Sequence, residues 1–418
     1  MPFTNIPNKG FISLAQTKPL CRVRTVTLFL SLNAEQKSWA EALKLAKQEF
    51  DLLVPAIQHK GYEVQSIRIV TNPFGEYLDL TSLESAKAGL AYLKSLLLQL
   101  NDSGLRIRFA IGEAKTAQEI AILPELIADY GDLCNACVNV ELDQNGVLDN
   151  ALIVQSAQAV KKIAEITPRG EGNFNFTVNF NCKPFIPYFP AGYHRSDVPN
   201  SFVIGFETPD LLVEVLKNVP KTDHNQFFND CYQTMSQVLQ YHVDEVLEVL
   251  KNVPLTGNFQ FAGIDSSAAP SKNCASMTEL YELMGVPFFG AAGTVEVSAL
   301  LTRVFKSIQN VPLVGFSGLM LAVVEDLGLA KGTETYQYDI RALLTNSAVC
   351  GIGLDTVPIP GSATVAQISA LMRDTGTMAF RLNKPLTVRL FPVPNRGAGE
   401  MTYFASDDLC NSRILAVE

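Results

Sequence analysis

Positive charge is scarce in this chain. Its 418 residues hold 33 Lys and Arg against 42 Asp and Glu, a formal net charge of −9. Nucleic acid and anionic membrane are both gripped by clustered Lys and Arg, so neither is expected as a partner. No stretch reaches the roughly 18 uninterrupted apolar residues of a membrane-spanning helix. Cysteine is sparse as well, with eight scattered over the chain, which suits reduced thiols in a cytoplasmic protein. Only Cys134 and Cys137 lie close together, and a zinc site would want a second such pair. The chain also lacks a GxGxxG turn, a phosphate loop of the Gly-x4-Gly-Lys-Ser/Thr type, an HExxH helix and a GxSxG elbow. Dinucleotide, nucleotide, zinc-protease and α/β-hydrolase chemistry therefore have no support. No motif names a cofactor or a metal.

What is present is apolar material in quantity. Hydrophobic residues make up 47 % and charged residues 18 %, enough for a large core and too apolar for disorder. The run Val26–Leu32 follows Arg22 and Arg24 and loosely resembles a secretion signal. It is short, has no small-residue cleavage site and alternates with Thr, so it reads as the first strand. Strand and helix patterns then alternate: strands near 24–32, 62–70, 105–111 and 136–142, helices over 34–59, 82–100, 116–128 and 149–166. Further strands are expected at 174–181, 202–206, 258–264, 347–350 and 386–391, and further helices at 225–252, 278–284, 295–307, 335–345 and 363–373. Alternation of this kind implies a mainly parallel sheet with covered faces. Periodicity alone leaves an open doubly wound sheet and a closed barrel both possible.

Polar residues concentrate where strands end, which in barrels is where sites are built. The loop from Asn179 to His194 holds Pro184, Pro187 and Pro190 among aromatics. His194 can serve there as general base or ligand, or simply close a rigid loop. Asp265, ending the apolar strand before Ser266 and Ser267, can face a pocket or cap a turn. Glu325 and Asp326 are adjacent. On a helix they would point about 100° apart, so one of them is expected to face the pocket. In Cys350-Gly-Ile-Gly-Leu-Asp355, Cys350 is either a nucleophile or a small buried residue, and Asp355 is a polar contact. Lys384 and Arg389 can hold a carboxylate or phosphate, whereas Arg396 reads as a surface charge.

Taken together, VRTVTLFLSL, CVNVELDQNGVLDN, PYFPAGYH, GIDSSAAP, GAAGT, GFSGLMLAVVED, VCGIGLDTVPIPG and KPLTVRLFPVPNRGAGE resemble the domain-of-unknown-function family 711, in order from about residue 22 to the end. The resemblance implies a closed ten-stranded α/β barrel of the pyruvate formate-lyase-like type. It would be a single domain over residues 22–418, with 1–21 as an N-terminal extension. It also adds Arg24 and Ser317 to the pocket residues. Bacterial relatives are often encoded beside a small ACT-domain protein. Glycyl-radical enzymes of that superfamily end near Arg-Val-x-Gly-aromatic. Here Gly397 replaces the Val and Glu400 the aromatic, so Gly397 and Gly399 are not expected to be radical sites.

Two functional readings follow. The first is an enzyme acting on a small polar, anionic metabolite at the barrel mouth. In it His194, Asp265 and Asp355 do acid/base or metal-assisted work, Cys350 plays a lesser part, and Lys384 with Arg389 binds the anion. The alternative is a non-catalytic sensor of such a metabolite, linked to an ACT-domain partner. A homo-oligomer, a dimer in the simplest case, is compatible with either.

Overall fold

The computed structural model describes residues 13–101 and 104–418. Nine strands form one mixed sheet: β1 (Arg22–Leu30), β2 (Ile67–Thr71), β3 (Ile107–Glu113), β4 (Asn135–Val140), β5 (Phe176–Phe180), β6 (Ser201–Glu207), β7 (Gln260–Asp265), β8 (Gly353–Pro360) and β9 (Leu386–Val393). Eleven α-helices accompany them among the described residues: α1 (Trp39–His59), α2 (Leu83–Leu100), α3 (Ala117–Tyr130), α4 (Asn150–Ile166), α5 (Pro209–Leu216), α6 (His224–Asn252), α7 (Met277–Leu283), α8 (Thr294–Lys306), α9 (Leu327–Glu334), α10 (Ile340–Ser347) and α11 (Val365–Arg381). None is long and apolar enough to cross a membrane.

The strand order is β7-β6-β1-β2-β3-β4-β5-β9-β8. β1 to β5 run parallel to one another. β6 is antiparallel to β1 and β9 antiparallel to β5, with β7 and β8 parallel to those two. The amino ends of β1–β5 therefore share one end of the sheet with the carboxyl ends of β6–β9. Nine strands are regular, and closure into the expected ten-stranded barrel is not shown. The two edge strands are each joined instead to one irregular segment, β7 by the bridge Ile264–Leu313 and β8 by the bridge Ala322–Asp355.

The two faces of the sheet are covered differently. Val26, Leu28 and Leu30 of β1 join the main core with Trp39, Leu43, Ala46, Phe50, Leu53 and Ile57, the buried stripe of α1. Phe29 points the other way, into a small cluster with Val70, Ala110 and Val203. Among the described residues no helix side chain packs on that cluster. The Pro-rich loop 182–200 lies across it, bringing Phe185 and Phe189 onto the cluster. Thr27 Oγ1 donates to the Pro187 carbonyl at 3.1 Å, Asn179 Nδ2 to Ala191 O at 3.0 Å and the His194 amide to Thr71 O at 3.1 Å.

Several local expectations need correction. The strand expected at 347–350 is the end of α10 and a turn, in which the Cys350 amide donates to Asn346 O at 2.7 Å; β8 begins at Gly353, whose φ of 94° suits glycine. The helix expected over 335–345 starts only at Ile340, as α10; Thr335–Asp339 is the turn that separates it from α9, and Asp339 caps the new start by accepting the Ala342 amide. The strand expected from residue 62 starts only at Ile67. Of the expected extension 1–21, residues 1–12 lie outside the described residues. Leu14–Leu20 is a 3-10 helix anchored on α6, with Thr17 Oγ1 2.9 Å from His242 Nε2 and Lys18 Nζ 2.6 Å from Glu245.

Glu325 and Asp326 do not lie on a helix. Asp326 is the cap of α9, accepting the Gly328 and Leu329 amides at 2.9 and 3.1 Å. Its other oxygen, Oδ2, accepts the Met277 amide of α7 at 2.8 Å, and the Ser276 hydroxyl donates to Oδ1. One buried carboxylate thus ties two helix starts together. Asp326→Ala strands three amides, so it should lower stability by about 3 kcal/mol, the sum of a lost cap and buried unpaired donors. Urea unfolding checks this, and a loss below about 1 kcal/mol, the size of a single exposed cap, would reject the tie.

Candidate functional site

A cavity of about 520 Å³ opens at the end of the sheet where β1–β5 begin. That volume falls within the range of about 300–1,000 Å³ common for small-molecule sites. Arg24, Arg68, Arg108, Asn135 and Thr177 line it from the first residues of β1 to β5 in turn. The opposite wall carries Asp355 of β8, Thr387 and Arg389 of β9, and Glu325. Tyr188–Ala191 of the crossing loop and Phe316, Met320 and Ala322 of the irregular segment complete it. The expected position, at the carboxyl ends of the strands, is reversed for β1–β5, whose first residues line the cavity; β8 and β9 reach it through Asp355, Thr387 and Arg389, in the first half of each strand.

Arg68 is the most unusual residue of the cavity. It is paired in register with Thr27 on one side and Arg108 on the other, so all three side chains project from the same face. Its side chain is 9 % exposed, yet no acidic group among the described residues forms an ion pair with it. Its one hydrogen bond is a long one, from Nη1 to the Pro187 carbonyl at 3.4 Å, and Nε has no partner. The guanidinium lies over the Phe189 ring, 5.0 Å from its centre. Burial, with Arg24 and Arg108 nearby, pushes its pKa down to about 9, which leaves it charged at neutral pH.

The facing wall is organised by Arg389. Its Nε donates to Asp355 Oδ1 at 2.7 Å and its Nη2 to Glu325 Oε1 at 2.5 Å. The guanidinium also sits 5.1 Å from the centre of the Phe174 ring. Burial raises the Glu325 carboxyl above its ordinary value; Arg389 opposes this and Asp355 adds to it. Arg389 is therefore already engaged by two carboxylates, and is not the free anion-binding cation the sequence suggested. Of the adjacent acids, Glu325 lines the cavity and Asp326 does not.

Of the other expected residues, Arg24 lines the cavity and is shared between Gln65 at 3.1 Å and Glu207 at 3.5 Å. The rest lie elsewhere. Asp265 is fully buried and accepts the amides of Ser267, Phe316 and Ser317 at 3.0, 2.8 and 3.1 Å, so it clamps the turn after Gly315. Ser317, at φ 40°, donates to Val314 O within that same turn. Lys384 donates to the carbonyls of Ser347 and Cys350 at the end of α10, and burial lowers its pKa. Cys350 is fully buried against that junction, its Sγ accepting the Gly353 amide. His194 is fully buried near Phe29 and Phe185, with neither ring nitrogen partnered among the described residues. Thus Asp355 does not share the cavity with His194 and Asp265. Gly397 and Gly399 lie in a surface turn beside the Arg396–Glu400 ion pair. Among the described residues no three His, Cys, Asp or Glu side chains gather to hold a metal ion.

Arg68 and Arg108 were missed, although a signal existed. Each is the second residue of its strand and is flanked by apolar residues, in Ile67-Arg-Ile-Val and Ile107-Arg-Phe-Ala. A charged side chain that close to the middle of a parallel sheet calls for a polar interior.

A family model described as "Uncharacterised ACR (DUF711)" matches residues 16–407. The chain belongs to the DUF711 family. A "UPF0210 protein" of Carboxydothermus hydrogenoformans is 27 % identical over 403 residues, covering 91 % of this chain and 88 % of that protein. A UPF0210 protein of Pyrobaculum aerophilum is 29 % identical over 251 residues, covering 58 % of this chain and 55 % of the relative. Among solved structures, the anaerobic ribonucleotide reductase from Thermotoga maritima with citrate in the active site matches at a TM-score of 0.42 and 8 % identity, over 89 % of this chain and 81 % of that one.

Two outcomes test this description of the DUF711 chain. Arg389→Met leaves two buried carboxylates without their cation and should cost about 3–5 kcal/mol in denaturant unfolding; no loss would mean the pairs are dispensable. His194 is held neutral, with its pKa lowered to about 4 by burial. The unfolded chain then binds more protons than the folded one below about pH 6.5, so stability falls as pH drops from 6.5 towards 4, by up to about 3 kcal/mol from this group. His194→Leu should reduce the slope in that window, to which buried His242, likewise lowered to about 4, also contributes; an unchanged slope would show that His194 is not buried neutral.

Proposed function

We propose that the cavity binds a small anionic metabolite, with Arg68 as the anchor for its negative group and Arg24 and Arg108 steering it in. The observation that carries this reading is the uncompensated guanidinium of Arg68. Burying a charge without a partner costs several kcal/mol. A fold that keeps one at the base of a cavity gains from it only when an anion is bound. Arg is suited to the task, since its planar fork matches a carboxylate or phosphate.

The proposal extends to chemistry at the opposite wall. Glu325 is the proton carrier in this reading: its carboxyl is raised by burial, and Arg389 fixes its orientation. Asp355 balances Arg389 so that Glu325 is not locked in the ionised state. His194, Asp265, Cys350 and Lys384 have no part in it. Closure of the sheet belongs to the same proposal. The irregular segment between Leu313 and Ala322, bridged to β7 and to β8, acts as the tenth staves of a barrel whose interior is the cavity.

Arg68→Met tests the anchor, because Met keeps the apolar stem and removes the charge. Unliganded, the variant should be as stable as the parent or more so, by about 1–3 kcal/mol, since a buried uncompensated charge has gone. In calorimetry against a panel of small carboxylates and phosphates, any anion that binds the parent should bind the variant about 10²-fold more weakly or worse. A destabilised variant with full anion affinity would refute the reading. Turnover of a bound anion that survives Glu325→Gln unchanged would leave binding intact and remove the proposed proton carrier.

A further inference from the structure

The charges inside the cavity do not cancel locally. On one wall Arg68 contributes a positive charge with no acidic partner. On the other wall two carboxylates, Glu325 and Asp355, share the single guanidinium of Arg389. That wall carries one negative charge in excess when both acids are ionised. Glu325 Oε1 is used by Arg389, while Oε2 accepts no hydrogen bond from the described residues. Glu325 is also the more open of the two acids, with 15 % of its side chain exposed against 3 % for Asp355. The two walls are close enough to feel each other: Glu325 acts on Arg68, and Arg24 acts on Glu325.

A ligand that carries only an anion would satisfy Arg68 and add a second negative charge in front of Glu325. A ligand that carries only a cation would do the reverse. Lys272 and Asp407 also line the cavity without an ion pair among the described residues and offset each other in sign; the complement of the remaining positive charge on Arg68 and the negative surplus of the Glu325 wall is a dipole with no net charge. We propose that the ligand is an amino acid or a comparable zwitterion, its carboxylate on Arg68 and its ammonium on Glu325 Oε2. This rests on the anion-pocket reading and narrows it. The cavity is larger than the dipolar head alone, and the aromatic floor of Phe189 and Phe316 receives the ligand's side chain.

The test uses the full unmodified chain and three matched sets of probes in titration calorimetry. These are free L-amino acids, the same carboxylates without the amine, and the same amines without the carboxylate. At least one amino acid should bind about tenfold or more tightly than both of its single-ended counterparts, the discrimination expected of a charge-assisted hydrogen bond. Glu325→Gln should weaken that amino acid by about 10- to 100-fold and leave its deaminated carboxylate unaffected, whereas Arg68→Met should weaken both. Glu325→Asp, which keeps the charge, should retain part of the preference. Equal binding of an amino acid and its deaminated counterpart, or no binding of any amino acid, overturns the zwitterion while the anion pocket stands. Carboxylate binding that ignores Arg68→Met overturns both. The comparison on the parent chain is decisive even if a variant fails to fold.

Discussion

Arg389 between Asp355 and Glu325 is the contact on which the site depends. It joins β9 to β8 and to the segment that leads into α9, at the place where the regular sheet ends. None of these three charges is tolerable alone at that depth, so each fixes the position of the others. Because two acids meet one base, the wall is left with a surplus that faces the cavity. The same arrangement therefore ties the edge strand β8 to the irregular segment and sets the charge of one wall of the cavity.

The other structural device is the Pro-rich loop that packs on the Phe29 face of the sheet. A loop placed over a sheet must find partners for its backbone groups, and here Thr27, Arg68, Asn179 and Thr71 provide them. The same need explains why so many polar residues that looked chemical are supports. Asp265 collects three amides of one turn, Asp326 three amides of two helix starts, and Lys384 two carbonyls at the end of α10. Gly318 and Gly351 touch backbone to backbone, where a Cβ on Gly318 would stand 2.8 Å from the Gly351 Cα. The residues clustered at strand ends drew a chemical reading, and Asp265, Asp326 and Lys384 among them hold the irregular chain in place.

Local pattern was legible wherever the chain repeats itself. The apolar stripe of α1, the Thr116–Glu119 box that starts α3 and the alternation of strand with helix all follow from nearest neighbours in sequence. Motif resemblance pointed to the family, which the match over residues 16–407 bears out. It was less informative about roles, since a motif shared for packing and one shared for chemistry look alike. Asp355, Glu325, Arg24 and Arg389 come to the cavity; His194, with its nitrogens buried against Phe29 and Phe185, does not.

The sequence by itself determined an α/β chain with a large core, a mainly parallel sheet and a net negative charge, because each of these depends on composition or on residues a few positions apart. Only the tertiary structure decided which charges are paired. Arg389 meets its two acids across 34 and 64 positions of chain, and Arg68 meets none. Whether a buried charge is neutralised depends on what the fold brings within a few ångströms of it. A charged letter in an apolar strand states the need for a partner and is silent on where, or whether, the chain supplies one.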